Sequence, residues 1–101
     1  MQVDINRRLS ALVFAFAFEM QRRLDENNHK GATYRNLSAR QLLNRLKEEV
    51  RELERVVTKK AGVHNSKRKQ FAVDNEAADV ANFACFIAEM FGSGGKEVSD
   101  D

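Results

Sequence analysis

The chain has 101 residues, enough for one domain and too few for two. Hydrophobic residues make up 43% and charged residues 32%, the balance of a soluble globular protein. With 17 basic and 15 acidic side chains the net charge is +2, too even to draw nucleic acid by bulk field, and a lone cysteine rules out an internal disulfide.

The first helix is predicted from about Asp4 to Glu26. At 100° per residue, Ile5, Leu9, Leu12, Phe16 and Met20 gather into one stripe. Phe14 and Phe18 lie opposite, and a second apolar face on one helix implies packing on a partner subunit or a ligand. The alternation Phe14-Ala15-Phe16-Ala17-Phe18 has the look of a strand, but its flanks are helix formers without turn signals. The apolar run Ala11 to Phe18 is shorter than the roughly 20 residues a bilayer requires. Met20-Gln21-Arg22-Arg23 follows it with no small-residue cleavage site, against a signal peptide. No membrane partner is expected, and a single thiol suits a cytoplasmic location.

Asn27-Asn28-His29-Lys30-Gly31 reads as a helix stop, since Asn and Gly tolerate left-handed backbone. Ser38 begins the second helix, with Gln41 placed to complete a capping box. Leu42, Leu46, Val50, Leu53 and Val57 carry its apolar stripe to about Lys60. Ala61 to Gln70 lacks periodicity and is expected to be a loop. A third helix, capped at Asp74, is expected to end near Phe91 before Gly92, with Cys85 as a small core residue. Residues 1–92 then form the helical domain and 93–101 a flexible tail.

Two helix wheels point to chemistry. With Leu42 at 0°, Leu46, Leu53 and Val56 fall within about 40°, and Glu49 falls at about −20° with Glu52 about 60° to its side. With Glu76 at 0°, Val80, Phe83 and Ile87 fall within about 40° and Asp79 lies at about −60°. Each helix thus carries one acid inside its apolar stripe and a second at the edge. A buried, unpaired carboxylate costs several kcal/mol. The cations of the second helix, Arg45, Arg51, Arg55 and Lys59, lie well away from Glu49. Four acids converging with no internal cation make an oxygen-lined site suited to Mg²⁺ or Mn²⁺. A single i, i+3 acid pair is usually an ordinary surface salt bridge; two such pairs on consecutive helices weigh against that reading.

Leu46-Lys47-Glu48-Glu49-Val50-Arg51-Glu52-Leu53, followed by Glu76-Ala77-Ala78-Asp79-Val80-Ala81-Asn82-Phe83, resembles the ExxE…ExxD signature of the MazG-like all-α nucleoside triphosphate pyrophosphohydrolases. Asn28-His29-Lys30-Gly31 resembles the Lys-Gly segment before the second helix of many small members. The resemblance covers roughly residues 18–91. It implies hydrolysis of a (d)NTP to the (d)NMP and pyrophosphate, in nucleotide-pool sanitation or dNTP balance. By this resemblance Glu49, Glu52, Glu76 and Asp79 would hold Mg²⁺, with Mn²⁺ as a substitute. Glu48 is the candidate general base and Glu52 the alternative. Lys30 would meet a phosphate, and Asn82 the sugar or base. Many relatives carry a Gly and a Trp soon after Lys-Gly; this chain reads Ala32-Thr33-Tyr34, which leaves Tyr34 as the aromatic and the base preference open.

The fold expected is all-α: a bundle of three main helices completed by oligomerisation to a homodimer or homotetramer. The oligomer would cover Phe14, Phe18 and the apolar run Val80 to Ile87. A catalytically silent helical interaction module of the same fold is the alternative. A diiron bundle would want Glu-x-x-His pairs, which neither histidine supplies. The third helix is too acidic and apolar for a DNA reader, so no nucleic-acid partner is expected. The Lys67-Arg68-Lys69 cluster reads as a solvated loop, or as a field that guides a triphosphate.

Overall fold

Three stretches without proline or turn signals fold as three α-helices in the computed structural model, which describes residues 2–27, 34–59 and 66–92. Helix α1 spans Gln2–Asn27, α2 spans Ala39–Thr58 and α3 spans Ser66–Met90, with a 3-10 turn at Tyr34–Asn36 leading into α2. Among the described residues there is no strand, and no helix is long and apolar enough to cross a membrane. Lys30, His29, His64 and the 93–101 tail lie outside the described residues.

The start of α2 follows its local chemistry. Ser38 Oγ accepts from the Gln41 amide at 3.1 Å, and Gln41 Oε1 accepts from the Ser38 amide at 2.8 Å, the reciprocal capping box. At the other end Lys59 turns extended (φ −67°, ψ 132°), and Lys69 Nζ of α3 donates to its carbonyl at 2.9 Å. A cation on the last carbonyls opposes the negative end of the helix dipole.

Helix α3 starts at Ser66, eight residues before the cap expected at Asp74, so residues 66–70 are helix and not loop. Lys, Arg and Gln are good helix formers that carry no apolar period, which is why the segment looked structureless in sequence. The helix ends at Met90, and Gly92 (φ 97°) takes the left-handed conformation that a Cβ would disfavour.

Helix α3 is the central element, packed on α2 along one side and on α1 along another. Leu42 and Ala78 are fully enclosed, Phe86 nearly so, and Asn82 is only 4% exposed. Asn82 Nδ2 donates to the Met20 carbonyl of α1 at 3.0 Å and ties the two helices together. The side of α2 turned inward is Leu42, Leu46, Leu53 and Val56; Val50 and Val57, placed on that stripe from the sequence, are exposed. Leu42→Ala is expected to cost about 2–4 kcal/mol, read as a lower urea midpoint at unchanged slope.

Three further expectations are revised. Most of Val80 to Ile87 is at least half covered within the chain, while Cys85, expected in the core, is exposed. Helix α1 docks through its C-terminal half, where Met20, Arg22 and Arg23 bond to α3. Its residues 7–15 are exposed throughout, including Leu9 and Leu12 of the supposed core stripe.

Candidate functional site

The α2–α3 contact brings Glu49, Glu76 and Asp79 together, each half-buried and each offering a carboxylate oxygen within 4.8 Å of the others. The helical period that put Glu49 and Glu76 inside apolar arcs accounts for this: a face that packs carries its acids with it. Glu52 is not part of the group. It accepts from Arg55 one turn along α2 and leans toward solvent. Glu48 is farther out, mostly exposed and 3.4 Å from the Arg45 guanidinium. The structure therefore joins three of the four expected metal ligands and leaves the candidate base Glu48 outside.

The expectation that no cation enters the site is overturned. Arg23 of α1 reaches across to Asp79, donating Nε to Oδ1 at 3.0 Å and Nη2 to Oδ2 at 2.8 Å, while Nη1 donates to Glu26 at 2.9 Å. Arg23 is 20% exposed and Asp79 13%, so the forked pair is shielded from water. The Asp79 hydrogen bonds hold the guanidinium even more firmly protonated than usual. Arg45 also comes closer than its place on the wheel suggested: it lines the same cavity as Glu49, and its guanidinium lies 5.0 Å from the Phe83 ring centre.

These cations do not neutralise the other two acids. Burial, then the charges of Asp79 and Glu76, push the Glu49 carboxyl above its ordinary value, against a smaller pull from Arg45. Burial, then Asp79 and Glu52, do the same at Glu76, against Arg23 and Arg55. A carboxyl raised in the folded state binds its proton more tightly there than in the unfolded chain. The stability it contributes is full below the ordinary value of 4.5 and is lost as pH rises through the raised one. Glu26, lowered by its hydrogen bonds to Arg22 and then Arg23, acts in the opposite sense and only at more acid pH. In EDTA the melting temperature is expected to fall as the pH is raised from about 4.5 toward neutrality, and a Glu49→Gln/Glu76→Gln double variant should lose that slope. Equal slopes in the two proteins would count against the cluster as its source.

A cavity of about 710 Å³ opens beside the acids, lined among others by Arg23, Tyr34, Arg45, Glu49, Asn82 and Phe83. Tyr34 and Asn82, both expected to touch substrate, are therefore in its wall. The Tyr34 ring stacks on Phe86 at 3.6 Å between centroids, 8° from parallel, and Phe83 packs edge-on against Phe86 at 5.5 Å. Sequence reasoning missed Arg23, Arg45 and the stacking of Tyr34 on Phe86. A signal for Arg23 was present, since it falls 18 residues after Ile5, which is five whole turns, in the middle of the α1 stripe. Lys67 and Arg68 stand exposed on the first turn of α3 and take no part in the cavity wall, while Lys69 is engaged with Lys59. No protein-family model matches the chain, and neither a curated protein nor a solved structure is similar enough to count as a match.

Proposed function

We propose that the protein is a Mg²⁺-dependent, MazG-like nucleoside triphosphate pyrophosphohydrolase that cleaves a (d)NTP to the (d)NMP and pyrophosphate and acts as a homodimer or homotetramer. The observation that carries this reading is the convergence of Glu49, Glu76 and Asp79 at the edge of a cavity of nucleotide size.

The donor set suits a hard dication, being all carboxylate oxygen with no thiolate or imidazole among the grouped residues. Burial first, and then the charges of the neighbouring acids, raise the Glu49 and Glu76 carboxyls against the smaller pull of the arginines. Arg23 occupies one direction at each oxygen of Asp79, so in the metal-free protein this carboxylate is held by the guanidinium. A bound Mg²⁺ supplies charge stabilisation at the phosphate oxygens. Glu49, Glu76 and Asp79 would hold that ion, and Tyr34, Asn82 and Phe83 would face the base and sugar. The water oxygen bonds to the α-phosphorus, the bond to the α–β bridging oxygen breaks, and its electron pair leaves with pyrophosphate. The water's proton passes to a nearby carboxylate, Glu48 as the candidate base and Glu52 as the alternative.

One observation favours a catalytically silent interaction module instead: Arg23 compensates Asp79 without any metal. Pyrophosphate release from a panel of NTPs and dNTPs, in Mg²⁺, Mn²⁺ or EDTA, separates the two. Metal-dependent formation of monophosphate and pyrophosphate is expected. No turnover with Mn²⁺ still bound would support the silent module. Neither turnover nor metal binding would return the acids to a structural role.

A further inference from the structure

We propose that Arg23 is a positioning residue that holds Asp79 in the metal-free protein and exchanges it for a phosphate oxygen of the nucleotide once Asp79 engages a divalent ion; this rests on the metal-dependent reading above. Three observations converge on it.

The first is the geometry of the pair. Two of the three guanidinium nitrogens are spent on the two oxygens of Asp79, so Asp79 cannot turn both toward an ion while Arg23 holds it. The second is where the guanidinium lies. Arg23 and Asp79 both line the cavity beside Glu49, so a released fork still faces the space a triphosphate would fill. A guanidinium matches phosphate oxygens with the same two-pronged geometry that it uses for a carboxylate, and an arginine this shielded needs an anion in place of the one it gives up. Glu26 engages the third nitrogen from the surface side and can keep the side chain tethered during the exchange.

The third observation is independent of the ion pair. Asn82, at 4% exposure, lines the same cavity and spends one amide hydrogen on the Met20 carbonyl. Among the described residues its Oδ1 accepts no hydrogen bond. A buried amide oxygen without a protein partner is uncommon. Arg23 and Asn82 thus line the same cavity, one a charged donor and the other carrying an acceptor without a protein partner among the described residues.

Full-length wild type, Arg23→Gln and Arg23→Lys are to be compared in two binding measurements: Mn²⁺ titration of the nucleotide-free protein by electron paramagnetic resonance, and inorganic pyrophosphate titration in Ca²⁺ by calorimetry. Arg23→Gln should bind Mn²⁺ about tenfold more tightly, having lost a competing cation, and pyrophosphate about tenfold more weakly. Arg23→Lys keeps the charge without the fork and should fall between on both; it also carries the test if Arg23→Gln does not fold. These opposite shifts are what a merely structural arginine would not produce. If both affinities fall together, or neither moves, the exchange is overturned while the metal reading survives. If wild type itself does not bind Mn²⁺, the metal reading fails as well.

Discussion

Glu49→Gln and Glu76→Gln are each expected to lower Mg²⁺-dependent pyrophosphate release by on the order of 10³-fold or more, while leaving the metal-free protein as stable as wild type or slightly more so. Gln keeps the shape and removes the charge. At these two positions the charge is disfavoured by burial and by the neighbouring acids, so removing it relieves repulsion. Both sites remain partly open to water, which limits the gain to about 1 kcal/mol or less. Asp79→Asn should behave differently. It should lose turnover too, but it takes from Arg23 its two-pronged partner and should destabilise the fold by about 1–2 kcal/mol. Turnover assays and urea midpoints on the three variants would show this split. Retained turnover in both glutamate variants would sink the carboxylate assignment; equal destabilisation in all three would mean the acids are structural.

The split follows from what could and could not be read along the chain. Interactions within a turn or two were legible: Ser38 and Gln41 are three residues apart, and their reciprocal bonds need only a helix start. The inward facing of Glu49 and Glu76 was legible as well, because a helix that buries Leu42 and Leu53 buries whatever shares their angle. Asp79 was visible as an acid, but its counter-ion lies 56 residues earlier, and only the docking angle of α1 decides that the two meet. Glu52 shows the reverse failure. It sits 60° from Glu49 at the edge of the stripe, and a wheel does not say whether an edge residue turns toward α3 or, as here, toward Arg55. The beginning of α3 was missed for a third reason. Residues 66–70 are helical by backbone propensity and by the Lys69 bond to Lys59, and neither leaves an apolar period.

The largest effect expected outside the acids concerns α1. Leu9, Leu12, Val13, Phe14 and Phe18 are each between 54% and 69% exposed, on both faces of the helix. The Phe14 and Phe18 rings pack edge to face on each other at 5.4 Å and remain mostly exposed. An aromatic side chain carries roughly 150–250 Å² to bury, so these two and three aliphatic neighbours exceed the few hundred Å² of contiguous apolar surface that monomers usually expose. A helical segment apolar on both faces, as from Leu9 to Phe18, is stable in water only when something covers it. The proposed homo-oligomer would supply that cover, with α1 of one copy packed against α1 of another. Light scattering at micromolar concentration should give a dimer or tetramer, and Phe14→Asp/Phe18→Asp should weaken that association by about 10²-fold or more. The monomer fold should survive the double substitution, because neither ring contributes to the core around Leu42, Ala78 and Phe86. A wild-type monomer under these conditions would assign the face to a different partner. An oligomer indifferent to both charges would place the interface elsewhere on the bundle.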